Sequence, residues 1–152
     1  MNAMVTKNFK KKNKKNKGFT LVELIIVIAI IAVLGVILAP QYIKYVDKSR
    51  WSTDQNNAKT LLKEVQTAVV AVQEESTNAA DIAAGTITFT RTTDAENGCN
   101  SITDAIKDKL TEADKNWKTT KVTNKDKASG AMDKFTITID ANGQVTGEWS
   151  ND

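Results

Sequence analysis

The sequence predicts an α+β protein in which a long N-terminal α-helix, half transmembrane and half amphipathic, packs on a C-terminal antiparallel β-sheet. Three observations predict it. An unbroken apolar run fills residues 19–39, an apolar stripe at helical spacing continues to Val72, and beyond Gly85 the hydrophobic period switches to alternation.

The 152 residues hold 21 Lys and Arg against 18 Asp and Glu, and the signs are sorted along the chain. Lys7, Lys10, Lys11, Lys12, Lys14, Lys15 and Lys17 lie in the first 18 residues, and every acid lies after Gly18. Setting those seven lysines aside leaves 14 basic groups against 18 acidic ones, so residues 19–152 carry a formal charge of −4. With no His and one Cys, the chain cannot build a His/Cys zinc cluster, a Ser-His-Asp relay, a Cys-His pair or an internal disulfide. No motif gathers the remaining Ser, Lys and carboxylates into a catalytic, metal or cofactor site, so an enzyme is not expected.

The run FTLVELIIVIAIIAVLGVILA, Phe19–Ala39, holds one charge, Glu23. As a helix it extends roughly 32 Å at about 1.5 Å per residue, close to the ~30 Å hydrocarbon thickness of a bilayer. Apolar residues on all its faces suit lipid or a helix bundle. The lysine cluster before it stays cytoplasmic, which places the carboxyl-terminal part outside. A conventional signal peptide has a shorter apolar region, a small-x-small cleavage site and no acid. A carboxylate at membrane depth costs on the order of 2.5–3.5 kcal/mol, so Glu23 either reaches headgroup water or has a specific partner.

The string KGFTLVELIIVIAIIAVLGVILAPQY, with its basic leader, Gly18, Phe19, Glu23, apolar run and Pro40, resembles the amino terminus of type IV pilins and is similar to that of type II secretion and competence pseudopilins. The resemblance implies that a prepilin peptidase cleaves after Gly18 and that the new amine of Phe19 is methylated. It also implies that this amine approaches the Glu23 carboxylate of a neighbouring copy, opposite charges that attract most strongly where water is scarce. Glu23 then sets register during assembly. The leader is longer than in many Phe-starting pilins. The lone Cys99 departs from pilins that close their carboxyl-terminal region with a disulfide and looks more like Gram-positive, clostridial-type pilins.

Pro40 lacks a donor for the Val36 carbonyl, and Gly35 weakens the helix further, so the sequence predicts a kink near the end of the span. The resemblance implies that residues 32–40 lose helical order in a filament. Downstream, Ala58, Leu61, Leu62, Val65, Ala68, Val69 and Val72 form one apolar face. Tyr42, Tyr45 and Trp51 suit an aromatic belt at headgroups or contacts with neighbours. Helix character fades at Ser76, giving one rod of roughly 85 Å from Phe19 to about Glu75.

In the rest of the chain, Thr86–Thr90 alternates with Ile87 and Phe89 on one side, and residues 97–100 read as a loop. A short helix follows, with Ser101 as its amino cap and Ile102, Ala105, Ile106 and Leu110 inward. Residues 117–123 are expected to form a strand. Phe135, Ile137 and Ile139 alternate with polar residues, as do Val145 and Trp149, which marks a hairpin. A two-residue turn would put the apolar faces of its strands on opposite sides. A three-residue Ala141-Asn142-Gly143 loop with Gly143 left-handed pairs Ile139 with Val145 and aligns them. The same loop shares a fragment with calcium-binding loops but lacks their later acidic ligands, so a plain turn is expected.

These readings divide the chain into a cleaved basic leader (1–18), a transmembrane and filament-core helix (19–39), an amphipathic stalk (40–76) and an extracellular head (77–152). The leading functional reading is a major pilin serving adhesion, surface motility or biofilm formation. It would stand in the cytoplasmic membrane before assembly and in an extracellular filament afterwards. Its partners are other copies of itself, prepilin peptidase and the pilus assembly machinery. A pseudopilin or minor pilin of a secretion or DNA-uptake system is the alternative. A membrane-tethered binding module is a third reading, with Lys115, Lys118, Lys121, Lys125 and Lys127 around Trp117 as a patch for nucleic acid or acidic polysaccharide. Lysines that keep a sheet edge solvated explain the same run.

Overall fold

The computed structural model describes residues 18–124 and 131–151. Helix α1 runs from Leu21 to Glu75 and includes Pro40 within its span. Two compact units divide between Ala39 and Pro40. In the first, none of the most apolar stretch is buried among the described residues. That follows from composition, since a helix apolar on every side has no polar face to give to water.

The second unit contains the rest of α1, a four-stranded antiparallel sheet and a short helix. The strands are β1 (Gly85–Thr90), β2 (Cys99–Asn100), β3 (Lys134–Ile139) and β4 (Val145–Ser150), in the order β2-β1-β3-β4. Helix α2 spans Asp104–Ala113. Alternation decides the faces: Ile87 and Phe89 of β1 pair with Ile137 and Phe135 of β3, and all four are buried. The threonines between them face away, with Thr88 and Thr136 sharing a hydroxyl hydrogen bond at 3.3 Å. Ala58, Leu61, Val65, Ala68, Val69 and Val72 of α1 join the same core, closed by Ile106 and Leu110 of α2. This is an α+β arrangement like the pilin fold. The stripe read from spacing is the buried face, with Leu62 at its margin.

The β3–β4 hairpin has the three-residue loop. Ile139 pairs with Val145, and Gly143 has φ +79°, a left-handed conformation that glycine adopts without steric cost. Asp140 supports the turn: its Oδ1 accepts the Asn142 and Gln144 amides at 2.8 and 2.7 Å. Gly147 meets a different demand, since a Cβ there would lie 2.7 Å from the Phe135 ring and 3.2 Å from Leu62. Glycine lets β4 lie close against α1.

Three expectations are corrected. Residues 117–123 form a 3-10 turn at Trp117–Thr119 and then an irregular extended segment, not a strand. Single bonds tie this segment to its neighbours, among them Val122 N to Thr90 O at 3.1 Å, while the Trp117 ring turns into the core. Cys99 and Asn100 are not loop but the edge strand β2, paired with Ile87 and Thr86 of β1. Ser101 does not cap α2: it has φ +58°, and Thr103 takes the cap position, its hydroxyl donating instead to the Asp81 carbonyl at 2.7 Å. Trp51, unlike the exposed Tyr42 and Tyr45, has a partner within the chain: it packs edge-on against Trp149 with ring centroids 4.7 Å apart.

Candidate assembly site at the start of the long helix

Gly18, Phe19 and Thr20 precede the first turn of α1, and Phe19 is 92% exposed. Helices begin with amides that have no partner inside the helix. Here Thr20 and Glu23 meet that need. The Thr20 amide and hydroxyl both donate to Glu23 Oε2 at 2.8 Å, and the Glu23 amide donates to Thr20 Oγ1 at 3.2 Å. This is a reciprocal capping box. Its sequence signature, Thr-Leu-Val-Glu, stands at the head of the apolar run. Glu23 therefore has a partner within its own chain, besides any reached through water or a neighbour.

Gly35 has open space around it, as does Gly18: a Cβ at either meets nothing within 4 Å. Neither glycine is required by packing among the described residues. Pro40 lies within α1 where the two compact units divide.

The lysine segment is arranged otherwise than the patch reading expects. Trp117 is 1% exposed, and its indole Nε1 donates to Thr111 Oγ1 at 3.1 Å, so it offers no ring for stacking. Lys118 faces Glu96 at 3.2 Å and Lys121 faces Asp94 at 3.8 Å. Lys115 is exposed, while Lys125 and Lys127 lie outside the described residues. The segment is thus a partly neutralised seam between loops, with its aromatic residue in the core.

Among the described residues, two carboxylates are buried that the sequence analysis does not single out. Asp47 lies near Arg50 at 3.4 Å, and Asp54 is fully buried. Both continue the heptad-like stripe that passes through Ala58, Leu61 and Val65, and that periodicity was the available signal. Cys99 is half-buried, its thiol directed to the Ala95 carbonyl at 3.1 Å, and burial pushes its pKa up. A protonated, partly covered thiol is a weak nucleophile.

The family model for the prokaryotic N-terminal methylation motif matches residues 13–39. No curated protein and no solved structure matches the chain. The match covers the amino-terminal part alone and marks a class: proteins made with the prepilin-type signal characteristic of type IV pilins. Within that class it supports a type IV pilin-like or pseudopilin substrate, processed by prepilin peptidase and handed to assembly machinery. The signal and the apolar helix fit membrane anchoring followed by pilus assembly, and suggest a structural rather than an enzymatic protein.

Proposed function

We propose that the chain is the major subunit of a type IV pilus. Cleavage after Gly18 removes the leader, and methylation modifies the new amine of Phe19. Copies then leave the cytoplasmic membrane and pack through the Phe19–Ala39 helix into an extracellular filament. Glu23 meets the Phe19 amine of the adjoining copy, and Gly35 and Pro40 let the helix loosen as subunits pack. The filament serves adhesion, surface motility or biofilm formation.

The observation that carries this reading is the methylation motif running directly into an apolar helix that is left exposed among the described residues. Such a helix needs lipid or other copies around it. A membrane-tethered monomer that binds acidic polymers has less support, because Trp117 is buried and two of the described lysines face carboxylates.

Mass spectrometry of filaments sheared from cells tests the proposal. The expected subunit begins at methylated Phe19 and is the most abundant protein present; a retained leader contradicts the reading. Deletion is expected to abolish long filaments in micrographs, whereas unchanged filament numbers would assign the chain to the minor pilins or pseudopilins.

A further inference from the structure

Lys44, Lys48, Lys59 and Lys63 stand on one flank of α1: at 3.6 residues per turn the four fall within about 100° of arc and along roughly 29 Å of helix. All four are exposed. Among the described residues none of them has an ion pair, whereas Lys107, Lys109, Lys118 and Lys121 each face a carboxylate. The acids of the same stretch do not offset them at the surface. Asp47 is buried beside Arg50, and Asp54 is buried in the hydrogen bonds of Thr123 and Asn124. A flank that had only to stay wet would gain from mixed signs four residues apart; two lysine pairs at that spacing repel instead.

The same compact unit carries the complement. Where α1 ends against α2 lies a groove of about 400 Å³ lined by Glu75, Asp81, Asp108 and Lys109, three carboxylates to one ammonium. Lys109 is committed to Glu75 at 2.8 Å and the Ser76 hydroxyl to Asp81, while Asp108 has no ion pair among the described residues. Along the exposed side of α2, Asp104, Asp108 and Glu112 repeat at the four-residue step of the lysine pairs.

From this segregation of charge we infer that the lysine row is a docking surface for a second copy of this chain, received at that copy's acidic groove. The inference rests on the filament reading proposed above and adds to it a contact outside the apolar helix. The contact is heterologous: each copy offers its row to one neighbour and its groove to another, which is the arrangement that propagates a filament. The row precedes Glu75 by roughly 18–47 Å of helix, so a copy lying parallel and displaced along α1 brings the two surfaces together. Exposed ion pairs contribute little singly, but several held in rows steer the encounter and reject other registers. An acidic polymer would satisfy the lysines alone; a second copy accounts for the groove as well.

The test uses filaments sheared from cells and treated with a carbodiimide, which joins an amine to a carboxylate where the two touch. Cross-links between the lysine row and Glu75, Asp108 or Glu112 are expected in filaments and not in detergent-dispersed chains. Lys59→Glu with Lys63→Glu is expected to lower filament mass about tenfold, with membrane level, leader cleavage and melting temperature unchanged. Adding Asp108→Lys and Glu112→Lys to that chain is expected to restore filament mass. Normal filaments from the doubly reversed row, failure of the charge swap to restore them, or a lowered melting temperature each overturn the inference. Cross-links that are missing from filaments, or equally strong in dispersed chains, overturn it too. Salt-dependent retention of parent filaments on heparin, lost in a row variant whose filament mass is normal, would assign the row to an acidic polymer and overturn the contact between copies. All these outcomes leave the proposed function standing while filaments still contain the chain beginning at methylated Phe19. Absence of the chain from filaments sinks that reading, and this inference with it.

Discussion

Asp54 on α1 holds Thr123 from the far side of the sequence: its Oδ1 accepts the Thr123 amide at 2.8 Å and the Thr123 hydroxyl at 2.7 Å. Its Oδ2 takes the next amide, that of Asn124, at 2.8 Å. A carboxylate 0% exposed is stable only when its lone pairs are met, and here three donors meet them. The clasp also explains why residues 120–124 do not form a strand. Amides given to a side chain are withheld from a ladder.

Asp54→Ala is therefore expected to destabilise the chain by about 3 kcal/mol, because the lost acceptor leaves two amides in need of partners. Asp54→Asn keeps one acceptor oxygen and is expected to cost about half as much. Urea unfolding of the purified chain in mild detergent, followed by tryptophan fluorescence, measures both. Equal stability of Asp54→Ala and the parent contradicts the clasp.

The Trp51–Trp149 contact makes a second prediction. Trp149 also meets the Phe135 ring at a tilt, centroids 4.9 Å apart, so one ring links α1, β3 and β4 at the edge of the sheet. With Cys99 as its sole cysteine, this chain secures its last strand by packing and hydrogen bonding. Trp149→Ala is expected to cost about 3 kcal/mol, while Trp149→Phe retains most of the contact. Limited proteolysis distinguishes local from global effects: cleavage in β4 ahead of general unfolding is the expected pattern.

Trp117 separates packing from ligand recognition. Its burial and its bond to Thr111 predict that Trp117→Ala loses about 3–5 kcal/mol, as a large core ring does. Lys118→Gln and Lys121→Gln each remove only a surface pair, and each is expected to change stability by less than about 1 kcal/mol. Calorimetry gives both. Salt-dependent DNA retention by the parent, abolished in the lysine variants while folding is preserved, would restore the patch reading.

What could be read from the residues follows a physical boundary. Ala58 through Val72, the Ile87/Phe89 alternation and the Ile139–Val145 register were legible because burial repeats with the backbone period, and a hairpin loop has few lengths that align its faces. The prepilin signal was legible as an ordered string. Asp54 was not, because a carboxylate in an apolar stripe has no meaning until its distant donors at Thr123 and Asn124 are known. The strand expected at 117–123 failed for the same reason: local alternation competed with a long-range side-chain acceptor and with burial of the Trp117 ring. The Thr20–Glu23 box was local and readable.

Glu64 makes a prediction of opposite sign to Asp54. It lies on the flank of the buried stripe, where partial burial and then the nearby charge of Asp114 both raise its pKa. A folded-state pKa above the unfolded value means that the folded protein holds this proton more tightly. The favourable contribution is complete below the unfolded carboxylate pKa and disappears as pH rises through the folded one. At neutral pH the ionised group opposes folding relative to a neutral one. Glu64→Gln is thus expected to raise stability at pH 7 and to weaken the pH dependence across the carboxylate range, where Glu64 otherwise adds a decline as pH rises. Asp114→Asn is expected to stabilise in the same direction, and less so beside Glu64→Gln, since the two charges repel each other. Melting temperatures of the parent, both single variants and the double variant at pH 4 and pH 7 measure this. A Glu64→Gln variant less stable than the parent at pH 7 would show that the side chain makes a favourable contact strong enough to outweigh its burial.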